Sequence, residues 1–253
     1  QTHLTKLAQL RSVLPQAHIT TYSHIPGIGV ESIIDPAGIE TSFEYDGGRL
    51  VCIRDNDDNK VEEYEYDLLC DANGRRHMHR RTFRSTDEQT FSEDIHWWDT
   101  FGRKTQDIAV DAAGNGSDLV TAYESDFMFH DDVKIWLPYP KQNTGGNFQT
   151  NAKSAAKLYH SNDLSYTLKN YEHSTRDRVI STALPGYAGN HEMRFETDVV
   201  DNLLNYRWED NCIDDLSLYS SDEVVVSKAV DADGRTVSTY ADHSGKTLAT
   251  SLG

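Results

Sequence analysis

The residues that could do chemistry are acidic, imidazole and aromatic side chains in short clusters. Asp131-Asp132 follows His130, and Asp214-Asp215 lies in a polar stretch read as a loop. Either pair supplies half of a glycosidase-type acid and base if it faces another carboxylate across a cleft. Asp94, His96 and Asp99 flank Trp97-Trp98, and carboxylate, imidazole and indole together are the materials of a sugar site. In an extended strand Asp94, His96 and Trp98 share one face and Trp97 points the other way, toward a core. A wider aromatic set of Trp97, Trp98, Trp136, Tyr139 and Trp208 would serve a carbohydrate-binding module if the rings formed an exposed row.

Metal chemistry has two weak starts. His77-Met78-His79 puts two imidazoles on one strand face, a spacing that chelates Zn or Cu, but Arg75, Arg76, Arg80 and Arg81 surround it. This basic group is expected to pair across a sheet with Glu62, Glu63, Glu65 and Asp67 instead. Asp55-Asn56-Asp57-Asp58-Asn59 has closely spaced oxygens suited to calcium, yet lacks the Gly and Glu that an EF-hand loop needs. There is no Gly-rich phosphate loop and no Gly-x-Ser-x-Gly elbow. The reading is therefore no metal, no cofactor and no nominated catalytic residue.

The bulk numbers narrow the classes. The chain has 253 residues and a formal charge of −17, which speaks against a nucleic-acid partner. No apolar run is long enough for a membrane span. The 13 Tyr, 8 Phe and 4 Trp are too many for a solvated acidic tail, so the chain folds around a thin, Tyr-rich core. Three cysteines, Cys52, Cys70 and Cys212, form no framework; buried or semi-buried free thiols are expected, with a Cys52 to Cys70 bridge left open. No signal-peptide pattern opens the chain, and its last residues read as a boundary within a longer array.

The elements that position these residues announce themselves as a repeat. Asp-x-x-Gly occurs six times: Asp35 with Gly38, Asp71 with Gly74, Asp99 with Gly102, Asp111 with Gly114, Asp231 with Gly234 and Asp242 with Gly245. Random placement of these residues would give about two. A basic residue follows the Gly in four copies, and Asp46-Gly47-Gly48-Arg49 is a shortened one, with Gly48 before the Arg. Asp accepts a backbone N–H two residues on, and Gly takes the positive φ that closes a hairpin. Between turns the residues alternate: Ile39, Thr41, Phe43 and Tyr45 share a face, and Tyr64 and Tyr66 alternate with Glu63 and Glu65. The fold class is mainly β, a meander of short antiparallel strands with a mixed insertion carrying one short helix.

Glu44-Tyr45-Asp46-Gly47-Gly48-Arg49-Leu50 resembles the Tyr-Asp unit of the Rhs/YD-repeat family. Trp98-Asp99-Thr100-Phe101-Gly102-Arg103, Val230-Asp231-Ala232-Asp233-Gly234-Arg235 and Ala241-Asp242-His243-Ser244-Gly245-Lys246 are similar to diverged copies. The stretch from Ile34 to Tyr66 resembles repeats of large Bacteroides-type surface proteins. Leu137-Pro138-Tyr139-Pro140, Tyr171-Glu172-His173-Ser174 with Arg178-Val179, and Leu184-Pro185-Gly186 resemble a domain that accompanies such repeats. The chain departs from the pattern at the shortened Asp46 turn and at residues 54–60, where no Gly closes the turn.

The resulting organisation is a leading helix in residues 1–16 (Leu4, Leu7, Leu10, Val13 and Leu14, ended by Pro15), then a YD-like sheet in 17–116. An Rhs-associated, loop-rich insertion follows in 117–223, with a helix near 150–159, and returning hairpins fill 224–253. The resemblance implies a non-enzymatic wall segment of a secreted or cell-surface shell, partnered by the rest of a repeat chain or by an enclosed C-terminal module. Surface glycans are a further expected partner under the carbohydrate-module alternative. A glycan-directed hydrolase is the second alternative.

Overall fold

The repeat turns and the strands between them order the chain in the computed structural model. It describes residues 13–14, 16–67, 69–126, 128, 130, 132–187, 191–200, 204–209, 212–218 and 224–253, those of 204–218 by backbone alone. The expected leading helix lies outside the described residues apart from helical Val13. Two compact units emerge: Gln1–Thr121 with Pro140–Thr150, and Ala122–Tyr139 with Asn151–Gly253.

The first unit is an antiparallel meander. β1 (Thr21–Ile25), β2 (Gly29–Ile34), β3 (Glu40–Asp46), β4 (Arg49–Arg54), β5 (Lys60–Tyr66), β6 (Arg76–Phe83), β7 (Phe91–Trp98) and β8 (Lys104–Ala109) each pair with the next. β9 (Ser117–Glu124) carries the chain from this unit into the other. The tyrosine face of β3 and β5 is only half-buried, so it is not the core. The core lies on the opposite face, over β7 to β9, where Ile95, Trp97, Ile108 and Val120 are buried. The alternation along β7 thus places Trp97 inward and Trp98 on the other face, as expected.

In the second unit, β10 (Lys134–Trp136) pairs with the end of β9 and with β12 (Tyr166–Tyr171). β12, β13 (Val179–Ala183), β14 (Glu192–Val199), β17 (Val224–Val230), β18 (Thr236–Asp242) and β19 (Thr247–Leu252) then pair in that order. β15 (Leu204–Glu209) and β16 (Cys212–Leu218) form a separate ribbon. β11 (Tyr139–Gln142) leads back toward the loop 143–150. The helix α1 (Ala152–His160) buries Ala152 and Ala156 and ends in a left-handed Ser161. Asn151 is its N-cap residue but makes no side-chain capping bond.

The fold is mainly β, as the turn spacing implies. Residues 117–223, expected to be loop-rich, instead hold β9 to β16, and the returning hairpins extend their sheet through the pairing of β14 with β17. These strands are hidden in the sequence because their turns are not Asp-x-x-Gly; Asn143, Ser161, Asp177 and His191 take the positive φ there. Asp214 and Asp215 lie in β16 rather than in a loop.

Candidate functional site

The repeated turn is the feature that recurs most, and its geometry is uniform. Asp71 Oδ1 accepts from the N–H of Asn73 at 2.8 Å and of Arg75 at 2.9 Å, while Gly74 N–H donates to the Asp71 carbonyl. Arg75 Nε then returns to Asp71 Oδ2 at 2.7 Å. Asp99 repeats every one of these contacts with Phe101, Gly102 and Arg103. Asp231 and Asp242 keep the backbone part, with Gly234 and Gly245 donating to their carbonyls. Asp35 accepts from Ile39 N–H at 2.9 Å, and Gly38, at a φ of 87°, donates its N–H to the Asp35 carbonyl at 3.0 Å. Hydrogen bonds from Arg75 hold the Asp71 carboxyl down at about 2. Burial opposes the same effect at Asp99, but bonds from Arg103 outweigh it and its carboxyl also lies below the usual range.

Two expected copies differ. Asp111 is not a turn acceptor: it takes a left-handed φ of 54°, and its N–H donates to Asp118 Oδ1 at 3.0 Å. Its expected partner Gly114 has the positive φ, 78°, but serves a later turn, where its carbonyl accepts from Ser117 N–H at 3.0 Å. The Asp111 and Gly114 copy of the motif is therefore corrected: the chain is already entering β9, and Asp118 on that strand supplies the carboxylate. Asp46 ends β3 opposite Arg49, and Gly47 and Gly48, both at positive φ, make a two-residue hairpin that needs no side-chain acceptor. Residues 55–59, by contrast, are a full copy without Gly. Asp55 Oδ1 accepts from Asp57 and Asn59 N–H, Asn59 Nδ2 replaces the Arg, and Asp58 takes the positive φ of 65°. The Asp55 oxygens, suited to calcium by sequence, are those that close this turn.

The aromatic candidates do not form an exposed row. Trp97 is 5% exposed, Trp136 3% and Tyr139 3%, so three of the five rings are core. Trp97 stacks on His77 at 4.3 Å, meets Phe148 edge-on and donates its indole N–H to Gly146 O at 3.1 Å. Trp136 donates to Glu124 at 2.8 Å. Trp98 is half-buried on the opposite face, and the Trp208 side chain lies outside the described residues. The acid–imidazole group disperses as well: His96 Nδ1 meets Asp107 at 2.6 Å and Asp99 closes its turn. Asp132 is engaged by Lys169 and the Tyr171 hydroxyl, and Asp131 lies outside the described residues.

His77 and His79 do not converge on a metal. His77 Nδ1 faces Asp67 at 3.4 Å and His79 Nδ1 faces Glu93 at 3.0 Å; among the described residues no cluster of three ligands occurs. Cys52 and Cys70 are free thiols, Cys52 buried with its pKa raised by that burial, and the Cys212 side chain lies outside the described residues.

The basic strand pairs as its sequence neighbours imply. Arg81 stands opposite Glu63 on β5 and Glu93 on β7, contacting them at 3.3 and 3.0 Å, and reaches Glu65 at 3.3 Å. Arg80 contacts Glu62, whose carboxyl it holds below the usual range. Lys60 meets Glu63 at 2.7 Å, and Arg54 meets Glu44 at 2.6 Å. Arg81, Glu63, Glu65, Lys60, Arg54 and Glu44 of this ladder line a groove of about 710 Å³ over β3 to β6 that also includes Cys52. Charges of both signs are matched there, so the groove favours neither an anion nor a cation.

Two features escape sequence reasoning. The loop 143–150 covers the core of the first unit: Thr144 hydroxyl donates to Asp118, and buried Gln106 binds the Gln149 backbone. Its Gly145-Gly146 pair is the available signal. The other is a further Asp turn at residues 126–130, where no Gly marks it.

Fold and site together define an antiparallel β-protein built on Asp-closed hairpin turns. Residues 73–196, from β6 into β14, match the family described as "Domain of unknown function (DUF6443)". No curated protein matches the chain. Among solved structures, a chain of the "Crystal Structure of TcdB2-TccC3-Cdc42" is similar at 12% identity and a TM-score of 0.32, over 90% of this chain. This chain spans 12% of the length of that one.

Proposed function

We propose that the chain is a non-enzymatic structural and interaction segment, wall material of a longer Rhs/YD-type protein of the Bacteroides kind, displayed outside the cell or on its surface. The observation that carries this reading is the fate of the acidic residues. Asp35, Asp55, Asp71, Asp99, Asp231 and Asp242 all bind backbone N–H groups of their own turns, and the glutamates of β5 pair across the sheet. Asp99, which looks catalytic by composition, thus closes a hairpin, and Asp132 is held by Lys169 and Tyr171.

Among the described residues β19 pairs across its length with β18 alone, and this edge supports the same reading. β19 carries no charged side chain in a chain where such residues make up 26%. Gly253 and Thr236 exchange both backbone bonds, so by alternation the Thr250 and Leu252 backbone groups face away from β18. Uncharged edges of this kind invite another strand, and a neighbouring repeat or an enclosed module would cover this one.

The non-enzymatic part is tested by screening the purified chain on glycoside and peptide substrates. The expected result is no turnover that depends on Asp99 or Asp132. Turnover abolished by Asp99→Asn or Asp132→Asn in a folded variant would overturn it. The wall part is tested by hydrogen exchange at Thr250 and Leu252, which should slow when the chain is embedded in its longer product. Unchanged exchange there sinks that part alone. Protease shaving of intact cells tests the display outside the cell; a chain protected until lysis would refute it.

A further inference from the structure

Asp126 makes the same side-chain contacts as the Asp of the Arg-closed turns, with His130 in the place of the Arg. Asp126 Oδ1 accepts from the N–H of Met128 at 2.9 Å and of His130 at 3.1 Å. The fifth side chain returns to the second oxygen, His130 Nδ1 to Asp126 Oδ2 at 2.7 Å. At the same place Arg75 and Arg103 put a guanidinium Nε, also at 2.7 Å. Guanidinium is charged at any working pH, whereas imidazole titrates near neutrality.

His130 has a second carboxylate on its other side. Nε2 faces Asp177 Oδ1 at 3.4 Å, at the tip of the hairpin between β12 and β13, where Asp177 holds a left-handed φ of 50°. The ring lies flat on Tyr171, 3.9 Å between centroids and 3° between planes, and the side chain is 9% exposed. The other charged groups around it are occupied. Lys169 of β12 pairs with Asp132, and Arg178, just before β13, clamps Glu172 through both oxygens; His173 lines the same recess. Among the described residues the carboxylates facing the ring are therefore Asp126 and Asp177, and only imidazolium can donate to both.

We propose that His130 is a pH-operated latch: as imidazolium it ties the 126–130 turn to the tip of the β12–β13 hairpin through Asp126 and Asp177, and on losing a proton it releases the tip while keeping Asp126. The bond to Asp126 raises the His130 pKa above its ordinary value, although burial opposes it. A group raised in the folded state contributes stabilisation that is complete below its unfolded pKa of about 6.5. That contribution disappears as pH climbs through the folded value. The latch is closed in mildly acidic surroundings and opens on the alkaline side. It stands independently of the wall reading.

An NMR titration of the His130 ring, with amide exchange followed at Asp177, tests this. The Asp177 N–H donates to Ser174 O at 3.3 Å across the tip. Corrected for intrinsic rates, its protection should fall roughly two- to fivefold as His130 deprotonates. Asp177→Asn should abolish that response while His130 still titrates against Asp126. His130→Arg, which restores the residue of the sister turns, should keep the tip protected across the range. Protection that stays flat through the wild-type titration, or an unchanged response in Asp177→Asn, would overturn the latch. Asp177→Asn changes an exposed side chain, so the test does not depend on whether His130→Arg folds.

Discussion

The Gln106 side chain holds the Gln149 backbone at both polar atoms: Oε1 accepts from its N–H at 2.8 Å and Nε2 donates to its carbonyl at 3.1 Å. Gln106 is 1% exposed in β8 and lies opposite Trp97 of β7, so the pair pins loop 143–150 over the core of the first unit.

Replacing Gln106 by Leu keeps the volume and removes both bonds. Two backbone groups of a covered loop lose their partners, at about 1–3 kcal/mol each where water cannot reach them. We expect Gln106→Leu to lower stability by about 2–4 kcal/mol in urea unfolding. Indole fluorescence should report it, because Trp97 donates to Gly146 in the same loop. A midpoint equal to wild type would show that the loop is not held by this amide.

The reach of sequence reasoning follows the range of the forces. The turns at Asp71 and Asp99 are legible because donor, acceptor, Gly and Arg all lie within five residues, and the inward Trp97 is legible from alternation along one strand. The Arg80 and Arg81 partners come from neighbouring strands of a meander, whose register is nearly local. The same local spacing misleads at Asp111 and Gly114, where the motif is present but Asp118 of the next strand takes over the acceptor's place. The cover over Trp97 is not legible, since Trp97 and Gly146 meet across 49 positions. Nor is the burial of Trp136, over whose ring Lys157 of α1 lies. Composition suggests a ring platform for sugars; tertiary packing, which composition does not encode, turns those rings inward. The 126–130 turn is missed for a different reason: its sequence has no Gly three residues after the Asp, as the turns at Asp71 and Asp99 do.

Glycines at positive φ should respond unequally to Ala. Gly74, Gly102 and Gly146 all sit at positive φ, a penalty of about 1–2 kcal/mol for a side chain. A Cβ at Gly102 meets nothing within 4 Å, whereas one at Gly74 would lie 2.4 Å from Thr100 Cγ2 and one at Gly146 2.3 Å from Ile95 Cδ1. Gly102→Ala should cost about the backbone penalty alone, Gly74→Ala up to about 1 kcal/mol more as exposed Thr100 shifts its rotamer, and Gly146→Ala about 1–3 kcal/mol more, because Ile95 is buried. Equal losses in thermal unfolding at Gly74 and Gly102 would refute the packing of one turn on the next.

Acid should loosen the turns in a defined window. Bonds from Arg75 depress Asp71, and bonds from Arg178 depress Glu172, each to about 2. A carboxyl depressed in the folded state contributes stabilisation that is present above its unfolded value and is lost as pH falls toward the folded one. For these two the window runs from roughly pH 4.5 down to about 2. NMR titration should find both midpoints near the bottom of it, and Arg75→Met should move Asp71 upward. Asp71→Asn keeps an oxygen for the two N–H donors and should be milder than Asp71→Ala. An ordinary Asp71 midpoint would mean that Arg75 does not close the turn in solution.

The turn without glycine offers a gain. Asp58 occupies the position that Gly74 and Gly102 hold in their turns, with φ at 65° against their 74° and 81°. A non-Gly residue in that region is strained, because its Cβ crowds the backbone. The Asp58 side chain is 87% exposed, and its ion contact with Arg54 is a loose 3.6 Å. The stronger Arg54 contact goes to the Asp58 carbonyl at 3.0 Å, which any residue supplies. Asp58→Gly therefore relieves the strain and gives up little. Against it works the greater freedom of Gly in the unfolded chain, about 0.5–1 kcal/mol. The strain of about 1–2 kcal/mol is larger, so the variant should be more stable by roughly 0.5–1 kcal/mol in urea unfolding. Removing one negative charge from a chain at −17 acts in the same direction, and Asp58→Asn separates the two effects by removing the charge while keeping the Cβ. A loss of stability in Asp58→Gly would show that residues 55–59 do not share the strained backbone of the glycine turns.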